Sequence, residues 1–131
     1  MKKDSKNVAK VLICNDNKYL ILTRTDNGKL DLPGGHVHVD EEYLMGAARE
    51  VYEECKIILL SCKEIMSYGK KKLFFSDKFS YLNKSNSIEL DLKENKEYNW
   101  VTEEDFLKIK ISNATDALVA AQSHLMSESR K

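Results

Sequence analysis

The chain is poor in the residues that reinforce or punctuate a fold by special means. It has one proline, Pro33, and five glycines in 131 residues. The proline and three of the glycines fall between Asp26 and His36, so turn-forming chemistry is concentrated in one segment. There are three cysteines, Cys14, Cys55 and Cys62. An odd number at that spacing excludes a disulfide framework and a zinc-ligand pattern. Cys14 lies in an apolar run and reads as a buried free thiol. Net charge is also missing: Lys+Arg and Asp+Glu both total 21. That balance excludes a binder that holds nucleic acid through bulk positive charge. Lys70, Lys71 and Lys72 form the main local basic run. No apolar stretch reaches the roughly 20 residues of a membrane helix. The polar opening from Met1 to Asn7 precedes only a short apolar run, which does not read as a signal peptide. A cytoplasmic protein without a membrane partner is expected. Repeats, linkers and low-complexity segments are absent too.

The chain does have the composition of a globular domain, with 42% hydrophobic and 32% charged residues. Its length suits a single domain, residues 1–131, with a real core. Val8 to Cys14 and Lys18 to Arg24 read as two strands joined by Asn15-Asp16-Asn17, a turn-prone tripeptide. The segment from Asp26 to His36 reads as a loop. From Glu41 to Cys55 the pattern becomes helical, with Leu44, Ala47, Ala48, Val51 and Cys55 on one arc of about 100°. Ile57 to Leu60, Lys71 to Leu82 and Lys96 to Val101 read as strands. Thr102 is a good helix N-cap, with Glu103, Glu104 and Asp105 where acids suit a helix start. A last helix is expected from Asn113 to Met126, with Ala114, Leu118, Ala121 and Leu125 at core spacing. Strands, helix, strands and helices in this order predict an α/β or α+β sandwich with a mixed sheet.

Chemistry concentrates in Arg49 to Cys55, where Glu50, Glu53 and Glu54 crowd one turn near a helix end. On a helical wheel with Arg49 at zero, Glu53, Glu50 and Glu54 fall near 40°, 100° and 140°, which predicts all three carboxylates on one outward side. Like charges at i,i+3 and i,i+4 repel by a few tenths of a kcal/mol each. Arg49 and Lys56 offset part of that; a divalent cation would offset far more. Mg²⁺ prefers hard oxygens and is typically held by one or two carboxylates plus substrate phosphates. The preceding Leu-Pro-Gly-Gly brings backbone groups that can approach a metal or phosphate closely.

Gly35 to Ile57 resembles the signature of the Nudix hydrolase family: Gly, five residues, Glu, seven residues, then Arg-Glu-apolar-x-Glu-Glu-x-Gly-apolar. Gly35, Glu41, Arg49, Glu50, Val51, Glu53, Glu54 and Ile57 are all in register. Lys56 stands where the family has glycine. The flanks agree, with a strand pair before the signature and Glu94 to Phe106 similar to the family's later strand-to-helix segment. The resemblance implies an α/β/α sandwich around a mixed sheet with a catalytic loop-helix-loop. It also implies hydrolysis of a nucleoside diphosphate linked to another group, by water attacking phosphorus.

Position by position, the resemblance makes Glu50, Glu53 and Glu54 the ligands of Mg²⁺, with Mn²⁺ as a substitute. Gly34 matches the residue whose backbone carbonyl joins them. Arg49 matches a residue that orients the glutamates, and Glu41 a structural glutamate. The proton acceptor varies in the family; Glu53, Glu54, Glu94 and Glu97 are the candidates. Arg24, Gly35, His38 and Phe75 are candidates for substrate contact, and His38 stands where many members have glutamate. A glycine normally ends the catalytic helix with φ > 0, where Lys56 would cost about 1 kcal/mol.

Substrate choice is read by elimination. The proline of the ADP-ribose subgroup past the signature is missing, and Leu73, Phe74 and Phe75 stand where the dinucleoside-polyphosphate subgroup carries a tyrosine. A nucleoside triphosphate or similar small nucleotide is the expected substrate. The alternatives are an mRNA cap-removing enzyme, a dinucleoside-polyphosphate hydrolase, or a non-catalytic nucleotide-binding regulator with this fold. A capped RNA end is the one nucleic-acid partner in view, and a homodimer fits the family.

Overall fold

The structure, a computed structural model, describes residues 4–129. Residues 1–3 and 130–131, the two ends of the expected domain, lie outside the described residues. Strand β1 (Asp4–Asn15) turns into β2 (Lys18–Arg24) through Asp16 and Asn17, both with positive φ. A two-residue turn of this kind matches the twist of the strands it joins, and Asp and Asn tolerate it. The segment expected to be a loop contains two short strands, β3 (Leu30–Asp31) and β4 (Gly34–His38). Turn residues masked them, but β4 pairs with β1, Lys10 opposite Gly34 and Ala9 opposite Gly35.

Helix α1 (Tyr43–Cys55) follows, then β5 (Ile57–Leu59), β6 (Lys63–Tyr68), β7 (Lys71–Ser76) and β8 (Phe79–Tyr81). The run expected as one strand from Lys71 to Leu82 thus breaks at Asp77 and Lys78. There the Lys78 carbonyl accepts from the Leu60 and Ser61 amides, and the chain leaves the main sheet to pair β8 with β5. The sequence does not announce β6, because this edge strand has no buried residue and its alternation is weak. Strand β9 (Asn95–Thr102), helix α2 (Glu103–Leu107) and helix α3 (Asp116–Glu128) complete the chain. Thr102 caps α2 as expected, its hydroxyl accepting from the Asp105 amide at 3.2 Å. The last helix begins at Asp116 rather than Asn113, because Ile111–Asn113 forms a separate 3₁₀ turn.

The main sheet has seven strands in the order β3-β2-β1-β7-β6, with β4 also on β1 and β9 also on β2. β1 and β7 run parallel and the other pairs antiparallel, so the sheet is mixed. Successive residues of β1 serve opposite faces. Ala9, Val11 and Ile13 pack with Ala47, Val51 and Cys55 of α1. Leu12 packs with Phe106, Leu118, Ala121 and Leu125 of α2 and α3. The sandwich expected from the element order is present. Two details differ: Leu44, placed on the buried arc, is exposed, and Cys14 is only half-buried. No helix among the described residues is long and apolar enough to cross a membrane.

Helix α1 ends as the family pattern requires, without the family's glycine. Lys56 adopts φ 56°, ψ 43°, and its amide donates to the Tyr52 carbonyl. Its ammonium folds back to the Glu53 carbonyl at 3.1 Å and lies 5.5 Å from the Tyr52 ring centre. Those exposed contacts offset part of the left-handed cost of about 1–2 kcal/mol. Lys56→Gly is therefore expected to raise stability by about 0.5–1 kcal/mol. A urea titration checks this; an unchanged or lower midpoint would show that the lysine contacts outweigh the backbone strain.

Candidate active site

The site forms where α1 crosses β4 at the edge of β1. Glu54 lies in the last turn of α1 and is 7% exposed. Its carboxylate accepts the Gly34 amide at 2.9 Å, tying the helix end to the start of β4. Glu50, one turn earlier, lies against Gly35: a Cβ there would come within 2.7 Å of Glu50 Oε2. A Cβ on Gly34 would run into the Ala9 carbonyl and approach Lys10 Cα to 2.7 Å. Both glycines are thus required by close approach, one to a carboxylate and one to the neighbouring strand.

Arg49 organises the glutamates around it. Its Nε and Nη2 donate to the two oxygens of Glu41 at 2.9 and 3.0 Å, a two-pronged pairing. Nη1 donates to Glu50 at 3.1 Å and Glu53 at 3.2 Å, and Nη2 also reaches the His36 carbonyl at 3.0 Å. Glu41 accepts the His38 amide as well. The Arg49 hydrogen bonds outweigh partial burial and hold the Glu41 carboxyl down at about 2.

The three signature glutamates do not share one outward face. Glu53 has a side chain 52% exposed, while Glu50 is half-buried and Glu54 is buried. The wheel placed them correctly around α1, but β4 and the segment 88–95 cover its last turn. The amides of Glu89 and Asp91 donate to the carbonyls of Cys55 and Glu54 there. Burial pushes the Glu54 carboxyl up to about 8, against opposing pulls from Lys10 and the Gly34 amide. Burial raises Glu50 too, against Arg49.

Beside the glutamates lies a second buried cluster. Lys10, 9% exposed, donates from Nζ to Asp31 Oδ2 at 2.9 Å and to the carbonyls of Gly34 and Leu32 at 3.1 and 3.2 Å. Asp31, 3% exposed, also accepts from Arg24 at 3.2 Å, Thr115 at 2.7 Å and its neighbouring Leu32 amide. Burial disfavours its charge most, but Lys10 and these hydrogen bonds overcome it and hold the carboxyl below its ordinary range. A cleft of about 680 Å³ opens over both clusters, with Lys6, Lys29 and Lys71 among its walls.

The NUDIX domain family model matches residues 4–122. The chain belongs to the Nudix family. An RNA pyrophosphohydrolase of Pelagibacter ubique (strain HTCC1062) is 28% identical over 139 residues, covering 88% of this chain and 82% of that one. A MutT-like protein of Streptomyces ambofaciens is 45% identical over 53 residues, 40% of this chain, and that match spans 34% of the Streptomyces protein. Among solved structures, the MutT protein of Methanosarcina mazei Go1 superposes with a TM-score of 0.69 at 28% identity, covering 95% of this chain and 94% of that one. The MutT of Aliivibrio salmonicida and Vibrio cholerae superposes at 0.75 with 16% identity, covering 93% and 97%, which speaks for the fold.

Of the residues singled out in the Nudix signature and around it, Arg24, Gly34, Gly35, Glu50, Glu54 and Glu94 line the cleft. Glu41 and Arg49 act on it through their ion pairs, and Glu53 hangs from Arg49 at its solvent side. Three are not brought there. Phe75 packs half-buried in the α2–α3 core, His38 on β4 lies opposite Asp4 of β1, and Glu97 on β9 accepts from Thr23 of β2. Lys10, Asp31 and Thr115 escaped sequence reading. Lys10 interrupts the apolar run Val8 to Cys14, and Asp31 is an acid between two leucines. Each is a charge at a position where a strand should be buried, and that was the available signal.

Among the described residues no three acidic, His or Cys side chains already converge as a metal cage. The donor chemistry nevertheless fits a hard divalent ion. Glu50, Glu53 and Glu54 are oxygen donors from one helical turn, and such ions commonly need only one or two carboxylates beside a phosphate ligand. The folded value of Glu54, near 8 against an ordinary 4.5, means that folding favours its neutral form. Stability from this group is therefore present below about pH 4.5 and is lost as pH rises through 8. Metal-free Glu54→Gln keeps an oxygen for the Gly34 amide, so melting in EDTA should show it more stable than wild type near pH 8–9. The advantage should vanish near pH 4–5. An advantage that stays constant with pH would assign it to something other than this carboxyl.

Proposed function

We propose that this Nudix chain is a divalent-metal-dependent pyrophosphohydrolase of small nucleotides, with a nucleoside triphosphate or similar compound as its substrate. The observation that carries the reading is a single cleft with Glu50 and Glu54 on one wall and Lys6, Arg24, Lys29 and Lys71 around it. A pyrophosphate needs both: cations for its own charge, and carboxylates to recruit the ion that completes the neutralisation. About 680 Å³ is in the range of small-molecule sites.

Glu50, Glu53 and Glu54 would hold the cation, Mg²⁺ or Mn²⁺. When bound, it would neutralise phosphate charge and acidify a water. Arg49 and Glu41 are positioning residues: Glu41 fixes the guanidinium, and the guanidinium spaces Glu50 from Glu53. Glu53 and Glu94, both exposed, are the carboxylates we put forward to take the proton of the attacking water. Arg24 is braced by Asp26 at 2.7 Å and Asp31, which sets its guanidinium at the cleft wall to meet a phosphate.

The RNA pyrophosphohydrolase relative favours a second substrate, a phosphorylated RNA 5′ end, for the same site. Lys56, the one departure from the signature, keeps the left-handed helix end, so this departure gives no support to a non-catalytic regulator.

Purified protein is to be assayed with Mg²⁺ or Mn²⁺ against nucleoside triphosphates, a dinucleoside polyphosphate, and capped and 5′-triphosphorylated RNA. Phosphate and pyrophosphate release are the readouts. Turnover of at least one compound is expected. It should drop about 100-fold or more in Glu54→Gln and in whichever of Glu53→Gln and Glu94→Gln removes the proton acceptor. No turnover of any compound, or turnover indifferent to these changes, would sink the reading.

A further inference from the structure

Lys10 is not accounted for by the hydrolytic site as described. It is the one charged residue of the run Val8 to Cys14 and is turned inwards, 9% exposed. An ammonium has three donors and no acceptor. All three find an oxygen: Asp31 Oδ2 at 2.9 Å, the Gly34 carbonyl at 3.1 Å and the Leu32 carbonyl at 3.2 Å. Two main-chain carbonyls and a carboxylate are the kind of oxygen set that hard divalent ions also take. The same Gly34 donates its amide to Glu54, so the ammonium and the glutamate bind the two polar groups of one residue. Asp31 in turn is held by Arg24 and Thr115, so the cluster is braced from β2 and from the start of α3.

We infer that Lys10 is a built-in cation: its ammonium occupies the oxygen cluster of Asp31, Leu32 and Gly34 and keeps a divalent ion off the Gly34 carbonyl. A metal ion on that carbonyl would stand within a few ångströms of a buried positive charge with little water between them, where repulsion is strong. Metal binding is then confined to the carboxylates of Glu50, Glu53 and Glu54, and the ion-binding site gives up one oxygen donor. This sets aside the expectation that Gly34 is a metal ligand. It rests on the metal reading given under Proposed function.

The test counts Mn²⁺ per chain by electron paramagnetic resonance titration of the wild type, Lys10→Met and Lys10→Arg. Lys10→Met is expected to bind one more Mn²⁺ than the wild type, or to bind it at least tenfold more tightly. Lys10→Arg keeps the charge and should match the wild type. An unchanged number with less than a tenfold change in Lys10→Met would overturn the inference. If the wild type takes up no Mn²⁺ at all, the metal reading fails; Lys10→Met gaining an ion would still uphold the role of Lys10, and gaining none would overturn it. Should Lys10→Met not fold, the wild type decides alone. The Lys10 side-chain ¹⁵N signal, assigned by its absence from Lys10→Arg, should persist at saturating Mg²⁺ as that of a hydrogen-bonded ammonium. Its loss would overturn the inference.

Discussion

Gly34 joins the two halves of the site through its own backbone. Its amide is given to Glu54 on α1, and its carbonyl receives the ammonium of Lys10 on β1. Strand β4 can reach both because neither Gly34 nor Gly35 carries a side chain, and the space a Cβ would need is already taken by Ala9 and Glu50. If β4 moved away from β1, Glu54 would lose its hydrogen bond, Lys10 would lose one of its three acceptors, and the buried charges would face each other unscreened. A burial of this kind is sustained only while its partners stay in place. The rest of the cleft inherits its geometry from that contact.

Charge in this protein is balanced locally as well as in total. Arg49 compensates Glu41, Glu50 and Glu53, while Lys10 and Arg24 compensate Asp31. Glu54 is different. Its direct hydrogen bond is to a neutral amide, and its nearest cation is committed to other oxygens. This is the carboxyl with the strongest upward push of those around the site, and burial is the cause.

The parts of the fold that depend on local pattern were legible in the sequence. The β1–β2 hairpin, the extent of α1, the Thr102 cap and the core positions Leu118, Ala121 and Leu125 all follow from periodicity and turn chemistry. The parts set by pairing between distant segments were not. β3 and β4 hide among turn residues because their partners, β2 and β1, impose extended structure on them. The run from Lys71 to Leu82 reads as one strand, and the pairing of Leu60 and Ser61 with Lys78 is what divides it. In the site, spacing within one helix identified Arg49 and the glutamates. It could not identify Asp31 or Thr115, which reach the cleft from separate elements, nor the covering that buries Glu54.

The parallel pairing of β1 with β7 has a consequence for how the protein assembles. β1 is the central strand, yet Val8 finds its partner at Lys71 and Asp31 finds its last one at Thr115. Contacts between such distant points in the chain carry a loop-closure cost that must be met before they can contribute. Lys10 reaches its three acceptors across only 21 to 24 residues, whereas the bond from Thr115 to Asp31 closes a loop of 84. The brace from Thr115 therefore carries the larger cost of the two in chain entropy. The site is finished only when α3 docks and delivers Thr115.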